Sequence, residues 1–128
     1  VIHNVNNDMP IARQELFGPV LSVIGYDSVD DAVRLANDTI YGLAATVWST
    51  NMVNAYEISR RLRAGTVWIN DHHQLRPDAP FGGYRQSRIG LELGDDGFLD
   101  FTEAKHIYMS LTNDRQSRFW SLILPAEE

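Results

Sequence analysis

Three apolar runs alternate with two helical stripes between residues 20 and 70, and the links between them are short. That alternation restricts the possible folds more than any other feature of the chain. "VLSVIGY" at 20–26 is apolar for most of its length, as a largely buried strand should be. Ser28 then stands where a helix N-cap belongs, with an acid three places later at Asp31. Val29, Ala32, Val33 and Ala36 follow the spacing of one helical face. Asn37-Asp38-Thr39 and Gly42 close that helix, and "LAATVWS" at 43–49 reads as a strand covered on both faces. A second helix spans about 51–64, capped by Asn51 and striped by Ala55, Ile58 and Leu62. Arg60, Arg61 and Arg63 crowd its last turn, where cations suit the helix dipole. Gly65 is placed for a left-handed stop, and "TVWIN" at 66–70 is the third strand. This order predicts an α/β fold, a parallel sheet with helices packed on it, with a βαβαβ core and right-handed crossovers. Ligands of such sheets bind beyond the carboxyl ends of the strands.

After Asn70 the periodicity stops. "DHHQLRPDAPFGGYRQSRIG" runs about twenty residues without a clear pattern, a length that in a compact domain points to function. "LELGDDGFLDF" predicts a short helix interrupted by glycine. "KHIYMSL" at 105–111 alternates Ile107, Met109 and Leu111 with His106, Tyr108 and Ser110, a strand with two unlike faces. Beyond it, Phe119, Trp120, Leu122 and Ile123 have the spacing of a short amphipathic helix.

Several function classes are excluded on charge and residue content. The net charge is −6, and the only basic cluster is "RRLR" at 60–63, so nucleic acid is not an expected partner. No apolar run approaches the ~20 residues that span a bilayer, and no membrane partner is expected. No signal peptide is read at the start, and a cytoplasmic location is expected. Asn37-Asp38-Thr39 matches a glycosylation acceptor, which in that setting is a chance match. The 128 residues contain no cysteine, which removes disulfides, thiolate metal sites and a thiol nucleophile from this chain. His72 and His73 are adjacent and have no acid or histidine at ligand spacing, so no metal site is expected.

"ELFGPV", "ANDTIYGLAA", "AGTVWIN" and "PFGGYRQSRIGLELG", in that order, resemble the C-terminal portion of the NAD(P)-dependent aldehyde dehydrogenases. The resemblance covers about residues 1–111 and leaves 112–128 as an apolar tail, together a single partial domain. It implies that Glu15, the glutamate of the E-x-F-G-P motif, hydrogen-bonds the nicotinamide ribose, and that Phe17 lies against the nicotinamide side of the cofactor. A carboxylate suits that task because it can accept from two ribose hydroxyls. Pro19 would fix the turn and Gly18 would let the backbone pass close. The segment after Asn70 corresponds to the wall of the substrate tunnel, with Leu75 facing the aldehyde. The glycines of "PFGGY" are structural, allowing close backbone passage or positive φ, and "GGYRQSRIG" lacks the glycine spacing of a dinucleotide fingerprint. The resemblance also implies subunit contact through the strand at 105–111, so a homo-oligomer, most simply a dimer, is expected there, with the 112–128 tail able to join it.

The chain departs from the family pattern at Arg88 and Leu91, where glycine and arginine are usual, and in its tail. The largest departure is the absent cysteine. Aldehyde oxidation in this family needs a thiolate to attack the carbonyl, a glutamate to activate water, and a separate dinucleotide-binding domain. The expectation is therefore a C-terminal segment of an aldehyde dehydrogenase, using NAD or NADP in the complete enzyme. Alone it is expected to bind no cofactor and to turn over no aldehyde. The alternative from another class is a non-catalytic binding or assembly module derived from that family, and a third is an unrelated parallel α/β binding domain.

Overall fold

In the computed structural model, residues 1–114 are described together with Arg118, Phe119 and Ile123. The two long helices start where side-chain chemistry dictates. The Ser28 hydroxyl accepts from the Asp31 amide at 3.1 Å and opens α2 (Val29–Asn37). The Asn51 side-chain oxygen accepts from the Asn54 amide at 3.1 Å and opens α3 (Met52–Arg61). Two shorter helices flank them: α1 (Pro10–Arg13), which the sequence pattern does not announce, and α4 (Gly94–Leu99). Pro10 occupies the first turn of α1, where its missing N–H is no loss.

Strands β1 (Ala44–Val47) and β2 (Thr66–Ile69) pair in parallel, from Ala44 opposite Thr66 to Val47 opposite Ile69. Helix α3 connects them and packs on both, and α2 packs on α3. The chain is thus α/β with a small parallel sheet, as the alternation predicts, but the three-stranded core is not formed. Residues 20–26 make a single parallel bridge between Ile2 and Ser22 instead of a third strand. The Ile2 amide donates to the Leu21 carbonyl and the Val23 amide to the Ile2 carbonyl, each at 2.8 Å. A strand is defined by its neighbours, and among the described residues nothing joins this run to β1. Residues 105–111 form no strand either, for the same reason: among the described residues no other segment lies alongside to accept the ladder. The amphipathic helix expected around 119–123 lies mostly outside the described residues.

Gly65 plays a different part from the left-handed stop expected of it. Helix α3 ends earlier, with Leu62 in extended conformation, and the positive-φ glycines are Gly90 and Gly94. Gly65 is required because the backbone of Gly82 crosses it. A methyl group there would lie 1.7 Å from the Gly82 carbonyl oxygen. The irregular segment after β2 runs back along the sheet and is held by main-chain bonds at that crossing. Phe81 and Glu92 exchange both hydrogen bonds, and the Tyr84 amide donates to the Gly42 carbonyl at 2.8 Å. "PFGGY" is accordingly structural by close passage and not by positive φ.

Asn37 ties the two helix ends together. Its side-chain amide donates to the Arg61 carbonyl at 2.8 Å and its oxygen accepts from the Arg63 amide at 2.8 Å. The side chain thereby stands in for a peptide group of a neighbouring strand. The Arg85 guanidinium reaches the carbonyls of Asn37 and Thr39 from the far loop. Asn37→Ala is expected to cost about 1–3 kcal/mol, because two backbone groups lose their partner at once. A urea midpoint unchanged from the parent would show that water replaces the amide without loss.

The core is small. Among the described residues, Val5, Val33, Val47 and Ala55 are the buried hydrophobic residues. The accessible surface is 11033 Å², whereas a compact chain of this length would expose roughly 6,900 Å². No described helix is long and apolar enough to cross a membrane.

Candidate functional site

Glu15 and Phe17 share the loop between α1 and the bridged run at 20–26. The loop is turned by its own backbone: the Gly18 amide donates to the Leu16 carbonyl at 2.9 Å and the Val20 amide to the Gly18 carbonyl at 2.7 Å. Phe17 is 97% exposed. Among the described residues the Glu15 carboxylate takes part in no hydrogen bond or ion pair, so both oxygens are open to donors from outside the chain. A methyl group added at Gly18 would meet nothing within 4 Å among the described residues, so the close passage expected there is not made by them.

Glu15 borders a hollow of about 330 Å³ with Gln14, Thr39, Tyr41, Leu43 and Arg63. This hollow lies at the amino ends of β1 and β2. Leu75 sits elsewhere, in the segment leaving the carboxyl end of β2, and is half-exposed. The indole N–H of Trp68 donates to the Gln74 carbonyl at 2.9 Å, which places Leu75 beside the outer half of β2. The structure therefore brings Glu15 and Phe17 together on one loop and keeps Leu75 away from the hollow.

His72 is a hydrogen-bonding loop histidine. Its Nδ1 lies 3.1 Å from the Thr46 hydroxyl, and its ring meets the Trp68 indole edge-on at 5.4 Å between centroids. His73 stacks more loosely on both rings. No cluster of three or more metal-ligating side chains occurs among the described residues. Leu91, one of the two unusual positions, uses its amide to bind the Asp100 carboxylate at 2.5 Å, so the turn closes without the arginine.

Three residues escape a linear reading of the sequence: Asn7, Arg13 and Asp38. Arg13 forks onto Asp38, with N–H to carboxylate distances of 3.1 and 3.3 Å. The Asn7 amide also donates to the Asp38 carboxylate, at 3.0 Å. The Asn7 amide, and after it the Arg13 guanidinium, hold the Asp38 carboxyl below the usual carboxylate range. A depressed carboxyl pKa means that the network is intact at neutral pH and weakens only as pH falls through that lowered value. No local pattern marks these residues, because they lie far apart in the chain.

A profile of the aldehyde dehydrogenase family matches residues 1–107. The betaine aldehyde dehydrogenase of Bacillus subtilis is 50% identical over 108 residues, covering 84% of this chain and 22% of that protein. An aldehyde dehydrogenase of Davidiella tassiana is 43% identical over 111 residues, covering 87% and 22%. Among solved structures, the betaine aldehyde dehydrogenase of Staphylococcus aureus in complex with NAD+ superposes with a TM-score of 0.79 at 46% identity, over 82% of this chain and 21% of that one. An aldehyde dehydrogenase of Mycobacterium tuberculosis complexed with NAD+ gives 0.71 at 47% identity, over 74% and 20%. The chain thus spans about a fifth of the length of the proteins it matches.

Proposed function

The chain belongs to the aldehyde dehydrogenase family, and from that premise we propose that it forms the C-terminal part of an enzyme oxidising an aldehyde to a carboxylic acid with NAD+. The observation that carries this reading is the Glu15 loop, which presents a carboxylate unengaged among the described residues and, two residues on, a bare aromatic ring. The nicotinamide cofactor, when bound, supplies the hydride acceptor. This chain's part is to orient it. Glu15 accepts hydrogen bonds from the ribose diol, and charge-assisted bonds of that kind are the stronger sort. Phe17 covers the apolar side of the nicotinamide ring and keeps water from it. Leu75 lines the aldehyde's approach, an apolar wall that selects by size. The nucleophile, the water-activating base and most of the cofactor surface come from the remainder of the enzyme.

The same reading accounts for the unfinished core. β1 and β2 pair only with each other among the described residues, and two-stranded parallel sheets do not stand alone. The remainder of the enzyme supplies the missing strands and covers the apolar faces. Residues 105–111, exposed and outside any helix or sheet of this chain, pair with a second subunit to give a homo-oligomer, most simply a dimer.

The test is made in the complete enzyme, a longer protein carrying this chain at its C-terminal end. It should reduce NAD+ in the presence of aldehyde. Glu15→Gln should lower single-turnover hydride transfer about 10- to 100-fold while leaving the unfolding midpoint in place, equivalent to about 1.4–2.8 kcal/mol of barrier. Equal rates for parent and variant would make Glu15 an ordinary surface acid.

A further inference from the structure

The loop bearing Glu15 has few anchors. Among the described residues, no hydrogen bond joins residues 15–20 to any other segment; the bonds there are local turns. On the carboxyl side the first outside contact is the Leu21 carbonyl, which accepts from Ile2. On the amino side it is Arg13, two residues before Glu15. The Arg13 guanidinium grips both Asp38 carboxylate oxygens and, at 3.1 Å, the Asp38 carbonyl, and it also donates to the Asn7 carbonyl. Asn7 closes the ring by donating to Asp38 and, at 3.0 Å, to the Leu35 carbonyl in the last turn of α2. Asp38 caps α2 directly after Asn37, which bonds across to the end of α3. The amino end of the loop is therefore fastened where α1, the end of α2 and the end of α3 are tied together.

We propose that Asp38, with Arg13 and Asn7, is a positioning clamp that sets Glu15 for the cofactor ribose; the proposal rests on the ribose-binding reading of Glu15. Two physical points favour positioning over stability. Arg13 and Asp38 are 39% and 45% exposed, and solvent-exposed pairs contribute little to folding. The bidentate fork instead fixes direction, since two parallel bonds resist rotation where one does not. None of the three residues reaches the cofactor in this scheme; they act through the two-residue lever from Arg13 to Glu15.

The experiment is a double-mutant cycle in the complete enzyme, read as NAD+ affinity by calorimetry without aldehyde, with amide exchange at Gln14 as a second readout. The Gln14 amide is bonded to the Pro10 carbonyl at 2.9 Å and reports on α1 directly. Asp38→Asn should weaken NAD+ binding about tenfold, a cost typical of a misplaced binding group. It should speed Gln14 exchange and leave the unfolding midpoint nearly unchanged. Arg13→Lys, which keeps the charge and loses the fork, should do the same. Added to Glu15→Gln, Asp38→Asn should weaken binding no further, because the carboxylate that the clamp aims is already gone. Additive effects of the two substitutions would overturn the clamp. So would unchanged NAD+ affinity in Asp38→Asn when Glu15→Gln has weakened it, an outcome that leaves the reading of Glu15 standing. If Glu15→Gln itself leaves affinity untouched, the ribose-binding reading fails and the clamp's purpose with it.

Discussion

Gly65→Ala is expected to destabilise the complete enzyme by at least about 3 kcal/mol, at or beyond the upper end of ordinary overpacking. The added methyl would lie 1.7 Å from the Gly82 carbonyl oxygen and 2.8 Å from its carbon. Both obstacles are backbone, so no side chain can swing aside. Relief requires moving one chain, and both are committed. The Gly65 amide is bonded to the Gly42 carbonyl at 3.1 Å, and the same carbonyl accepts from Tyr84. Opening the crossing therefore loosens the start of β2 and the loop at Gly82 together. Gly18→Ala is the control. A methyl group there meets nothing within 4 Å among the described residues, and the residue has no positive φ. It should shift stability by less than about 0.5 kcal/mol unless the remainder of the enzyme packs on it. Denaturation of the two variants side by side decides the matter. Similar midpoints for both would mean that the Gly65–Gly82 crossing relaxes freely.

The chain expressed alone should be inactive and associated. It should form no NADH from aldehyde, since it contains no cysteine to attack the carbonyl. It should also bind a hydrophobic dye and sediment as dimers or larger species at micromolar concentration. The physical cause is the surface left open: about 4,000 Å² more than a compact chain of this length exposes. Phe101 and Leu111 are 89% and 93% exposed, and apolar patches of such extent promote association. Co-expression with the N-terminal four-fifths of a relative such as the Bacillus subtilis enzyme should suppress dye binding and yield turnover. A dye-free monomer, or turnover by the purified chain alone, would contradict the reading of it as a segment of a larger catalytic unit.

The caps were legible in the sequence because they are local. Ser28 and Asn51 each bond an amide three residues away, and three residues fit in any window one reads. The helical stripes and the apolar runs at 43–49 and 66–70 were legible for a related reason: periodicity is a property of neighbours in sequence. The ordered motifs then identified the family from residues alone, and Glu15, Phe17 and Leu75 followed from it as candidates. The absence of a nucleophile was likewise a matter of composition.

Other features depended on segments that meet only in space. "VLSVIGY" has the composition of a strand, yet strand identity requires a partner's backbone, and among the described residues outside the run's own turn only Ile2 and Val5 hydrogen-bond to it. Gly65 looked like a helix stop because it follows an arginine-rich last turn; the residue that dictates it is Gly82, seventeen positions later. "Asn37-Asp38-Thr39" looked like a spent helix end, but Asn37 joins α2 to α3 and Asp38 binds Arg13, twenty-five residues away. Sequence alone determined what each local piece could become and to which family the chain belongs. The tertiary structure decided which glycine must remain glycine and which carboxylate stays open. Those outcomes rest on hydrogen bonds and steric contacts between residues that are close only after the chain has folded.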